Sequence, residues 1–125
     1  MKPYRTALAA TSLAAASMLA HGQPAHPRSI CDIADADANG ALTIRAHVTP
    51  TMHAGLQLTD TKCPGKLLEL RDKAGDPAQK DALSRAFAAR LYERPYALVI
   101  SGQVQTLDGR RVFVATGMAY EAGNP

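Results

Sequence analysis

Arg45, His47, His53 and Arg110 are the side chains of this sequence best suited to holding a ligand, and Arg111 stands beside the last of them. A guanidinium presents a planar fork of N–H donors that fits carboxylates and phosphates. A histidine adds donors, and a charge that appears as pH falls through about 6.5. Together these groups suit an anionic or sugar-like ligand, bound more tightly in mild acid. A hydrolase would need more: a nucleophile, a base and an orienting acid within reach of one another. His47 or His53 with Asp60 supplies two of the three, but no serine lies in an activating motif. We therefore expect no enzyme and assign no catalytic residue.

A second constellation opens like a calcium loop. Asp35, Asp37, Asn39 and Gly40 stand at EF-hand spacing, and Leu42 falls at that loop's apolar position. The twelfth position needs a glutamate that grips calcium with both oxygens; here it is Ala46. The following segment also alternates like a strand and contains Pro50, where an EF-hand has a helix. Calcium binding through Asp35–Asn39 is thus a weaker alternative, and no metal or cofactor is expected. The preferred reading is a polar turn in which Asn39-Gly40 leads into a strand.

The elements that must position these groups are legible as periodicities. Over Ala41 to Val48, Leu42, Ile44, Ala46 and Val48 share one face, and Thr43, Arg45 and His47 share the other. Pro50 is expected to end this strand, and His53 lies in the loop that follows. Leu56 and Leu58 continue the inward face on a second strand. Thr59 to Gly65 reads as a turn carrying Cys63, and Leu67 to Leu70 as a third strand. Asp76, Pro77 and Gln79 make a capping-box-like helix start. Leu83, Phe87 and Leu91 then form an apolar stripe, and Arg94-Pro95 ends the helix. Tyr96 to Val104 is a long strand, and Asp108-Gly109 marks a hairpin into Arg111 to Ala115, with Met118 and Tyr120 prolonging the last strand.

The chain has 125 residues and a formal charge of +3. Lys2 and Arg5 precede an uncharged apolar run, Ala7 to Ala20, which is too short for a spanning helix. This reads as a secretory signal peptide over 1–22, ending after Gly22 or, second, after Ala20. Without it twelve basic and eleven acidic residues remain, a charge of +1. That gives no electrostatic case for nucleic acid, and no membrane span is expected in the mature chain. Residues 23–28 and 122–125 read as flexible tails around a domain over 29–121. Cys31 and Cys63 are the only cysteines. In an exported chain they are expected to form a disulfide, periplasmic or secreted.

Three strands, a helix and two strands, preceded by a short helical lead-in, give a mainly β chain with one helix (α+β). The order matches a five-stranded OB-fold-like barrel, β-β-β-α-β-β; an open antiparallel sheet with one covering helix is the second choice. Cys31-Asp32-Ile33, Asn39-Gly40, Leu42-Thr43-Ile44-Arg45, Leu58-x-Asp60 and Cys63-Pro64 resemble small secreted bacterial proteins, most of them uncharacterised, that have an OB-like fold. The likeness spans roughly residues 30 to 104. It implies the fold and a disulfide from the lead-in to the turn after the second strand, and it implies no activity. The function expected is that of an exported envelope binding module for an unknown envelope component or a small anionic ligand, over Arg45, His47, His53 and Arg110. A structural accessory role in the envelope is the alternative, with the calcium and hydrolase readings behind it.

Overall fold

The computed structural model describes residues 26–33, 40–53 and 55–123. The expected signal peptide, the hexad positions Asp35, Asp37 and Asn39, and residues 124–125 of the expected C-terminal tail lie outside them. The elements are β1 (Arg28–Ser29), a 3-10 turn (Ile30–Asp32), β2 (Ala41–Thr51), β3 (Gly55–Thr59), β4 (Leu68–Arg71), α1 (Pro77–Leu91), β5 (Tyr96–Leu107) and β6 (Arg110–Ala122). The described residues are therefore mainly β with a single α-helix. The six strands form one mixed sheet, one more than the five expected, because the lead-in contributes β1. Their order is β1-β2-β3-β4-β6-β5, and β2 also pairs with β5. The β1–β2 and β4–β6 pairs are parallel, and the other pairings are antiparallel.

β2 follows from its alternation. Ile44, Ala46 and Val48 are buried, Leu42 packs against the same core, and Arg45 is exposed on the opposite face. Ala46, where a calcium loop would place its glutamate, is thus a core residue. The first half of β2 pairs with β5 up to Ala46↔Leu98, and the second half pairs with β3 from His47↔Thr59 onward. Pro50 does not end the strand as expected, but lies within it opposite Leu56. The reason is in the backbone. The Tyr96 hydroxyl receives the Val48 N–H (3.0 Å) and donates to the Val48 carbonyl (3.1 Å), so the polar groups of Val48 point away from β3. Two residues on, the nitrogen of Pro50 points the same way, where β3 requires no donor.

At the helix start Asp76 accepts hydrogen bonds from the N–H groups of Ala78 and Gln79 (3.0 and 3.2 Å), as expected of an N-cap. Gln79 does not close a capping box. It is buried, and its carbonyl oxygen accepts from the Lys73 N–H at 2.8 Å, folding the preceding linker against the helix. The face laid on the sheet is Ala82, Leu83, Ala86 and Ala89, whereas Phe87 is half-buried and Leu91 is 75% exposed. The large-residue stripe is therefore rotated partly out of the core, because alanine methyl groups admit closer packing of helix on strand.

β5 and β6 form a long ladder turned at Asp108 and Gly109, both with positive φ (51° and 78°), as a two-residue type I′ hairpin requires. The register shifts between Ser101 and Gly102. A Cβ on Gly102 would overlap the Val114 carbonyl oxygen, so this bend needs glycine. The Cys31–Cys63 disulfide is present and ties the 3-10 turn to the turn after β3. The Lys66 ammonium adds a 2.6 Å bond to the Ile33 carbonyl, and Ile30 and Ile33 are buried in the core. Order thus begins before the expected lead-in: Arg28, read as tail, pairs with Ile44. No described helix is long and apolar enough to cross a membrane.

Candidate functional site

Ser29 and Arg45 are register partners in the parallel β1–β2 pair, and His47 is the partner of Thr59, the residue before Asp60. The end of β1, the middle of β2 and the turn after β3 consequently meet on the outer face of the sheet. They enclose a cavity of about 280 Å³ lined by Ser29, Arg45, His47, Asp60 and Lys62, with Ala97 of β5 on its apolar side.

The polar groups are held in place. The Ser29 hydroxyl accepts the Cys31 N–H (3.0 Å) and donates to Asp60 Oδ2 (2.6 Å). Asp60 Oδ1 accepts the Lys62 N–H at 2.9 Å, an Asx turn. Partial burial pushes the Asp60 carboxyl up, but the bonds from Ser29 and Lys62 and the positive charges of Lys62 and His47 outweigh it and hold the carboxyl below its ordinary value. Arg45 Nη2 donates to both oxygens of Glu121 on β6 (3.0 and 2.9 Å). Nε and Nη1 of Arg45 have no hydrogen-bond partner among the described residues. The His47 ring stands edge-on to Tyr96, with centroids 5.0 Å apart, and Tyr96 stacks on Tyr120 at 6.3 Å.

Of the four residues expected to form the binding surface, Arg45 and His47 meet at this cavity, and His53 and Arg110 do not line it. His53 is exposed in the β2–β3 turn. Arg110 lies at the β5–β6 hairpin, 3.6 Å from Glu69, whose other oxygen takes the Arg71 side chain at 3.0 Å. Sequence reasoning missed Ser29, Lys62 and Glu121, and gave Asp60 only a hydrolase role. A usable signal existed for Ser29 and Asp60: each stands two or three residues before a cysteine of the bonded pair.

The geometry orients groups and does not activate a nucleophile. Ser29 donates directly to Asp60 with no histidine between them, and a carboxylate held below its ordinary pKa is a weak base. Among the described residues no group of three metal-ligating side chains converges. A larger cavity, about 530 Å³, lies between β3 and α1, floored by Leu56, Leu83 and Phe87. Asp72, Lys73, Lys80 and Ser84 also line it, and Asp76 on its rim is engaged in capping; none of the four residues expected at the binding surface is among them. The smaller cavity holds Arg45 and His47. Compared with models of known protein families, with curated proteins and with solved structures, the chain matches none.

Proposed function

We propose that this protein is a small exported binding module of the cell envelope, built on an OB-fold-like barrel, that takes a small anionic ligand or an anionic group of an envelope partner. One observation carries the reading: Arg45, His47 and Lys62 line a single cavity, and Arg45 has donors to spare. The OB-like reading is supported by the run of pairings from β2 through β3, β4, β6 and β5 back to β2, and by the single helix between β4 and β5. Export is supported by the disulfide and by the signal-peptide pattern of residues 1–22. In this reading Arg45 and His47 hold the ligand, while His53 and Arg110 extend the surface for a larger partner.

The test is titration of the oxidised protein with acetate and phosphate, followed by the NMR signals of the His47 ring. Arg45→Ala is expected to weaken binding at least about tenfold, the scale of one charge-assisted hydrogen bond. Equal binding by wild type and Arg45→Ala would remove this cavity from consideration.

A further inference from the structure

We propose that the cavity takes a free α-amino acid as its zwitterion, with the ligand carboxylate on Arg45 and its ammonium on Asp60. This rests on the reading above that the cavity is the binding site, and it names the ligand class.

The cavity presents charges of both signs, Arg45 on β2 and Asp60 and Lys62 in the turn after β3. On the β2 side, Arg45 gives both its bonds to Glu121 from Nη2, leaving Nε–H and Nη1–H to donate. A carboxylate is the planar acceptor that fits such donors. On the β3 side, each oxygen of Asp60 accepts a single bond, from Ser29 or from the Lys62 N–H. A carboxylate offers about four acceptor sites, so lone pairs remain for an ammonium. Asp60 makes no salt bridge among the described residues, and its bonds and neighbouring charges keep it ionised.

This arrangement discriminates by repulsion as much as by attraction. A plain anion on Arg45 meets the charge of Asp60, and a plain cation on Asp60 meets Arg45 and Lys62. A ligand carrying both charges on adjacent groups satisfies each side at once. Size agrees: at about 280 Å³ the cavity is below the range of drug-sized sites, roughly 300–1,000 Å³. Ala97 supplies apolar wall for a small side chain.

The experiment titrates the oxidised protein with alanine, N-acetylalanine and alaninamide, which carry both charges, the carboxylate alone and the ammonium alone. The His47 ring signals report binding. Alanine is expected to bind at least about tenfold more tightly than either blocked form, the difference that one charge-assisted hydrogen bond makes. Asp60→Asn, which keeps the shape of the side chain, is expected to bring alanine down to the affinity of N-acetylalanine. If wild type binds N-acetylalanine as tightly as alanine, the zwitterion proposal is overturned and the anion site stands. If none of the three compounds moves the His47 signals, both fall.

Discussion

Tyr96 does with a side chain what β5 stops doing with its backbone. The β2–β5 ladder ends at Ala46↔Leu98, and the Tyr96 hydroxyl then pairs with both the N–H and the C=O of Val48. Tyr96→Phe keeps the ring against His47 and Tyr120 and leaves two buried backbone groups unsatisfied. It is expected to cost about 1–3 kcal/mol, read by urea denaturation. Burial pushes the Tyr96 phenol above its ordinary value, and the Val48 bond and the charge of Arg90 only partly offset this. The folded state therefore favours the protonated phenol. Its contribution is complete below the ordinary tyrosine pKa of about 10 and is lost as pH rises through the folded value. The alkaline loss of stability should shrink in Tyr96→Phe.

At the scale of elements, Gly102 is the most sensitive position of the β5–β6 ladder, because the register shift brings the Val114 carbonyl where a Cβ would go. Gly102→Ala is expected to destabilise by roughly 1–3 kcal/mol, since backbone and not a flexible side chain must give way; thermal melting measures it. The elements also show what a sequence makes legible. The Asp76 cap, the Asp108-Gly109 turn and the alternation of β2 are set by neighbours in the chain, and each is found where the residues indicate. β1 is invisible to any periodicity because two residues have none; it exists because β2 offers Ile44 and Arg45 as parallel partners. The stripe Leu83, Phe87, Leu91 is a real periodicity, but which helix face meets the sheet is decided by fit, and the alanines fit more closely. Arg45 and His47 are legible as one outward face, whereas Ser29 and Glu121 reach the site only through long-range pairing.

At the scale of the whole molecule, the disulfide joins residues 32 apart and fastens one wall of the cavity to another. Cys63→Ser is expected to lower stability by about 2–5 kcal/mol and to part Ser29 from Asp60. Denaturation curves would read the first effect, and disappearance of the His47 response to acetate the second. A variant that kept both stability and response would show that core burial of Ile30 and Ile33 suffices to hold the lead-in.

The second half of β2 has β3 on one side and, among the described residues, no strand on the other. Such a margin ordinarily offers a row of donors and acceptors on which a foreign strand can build, the first step of domain swapping and fibril growth. Here the margin has little to offer. Val48 spends both of its groups on Tyr96, and Pro50, the next residue to face outward, has no N–H. A tyrosine hydroxyl and a proline ring together deny a template to any copy of the chain that arrives alongside. A chain that folds in the company of its own copies is protected by such a margin.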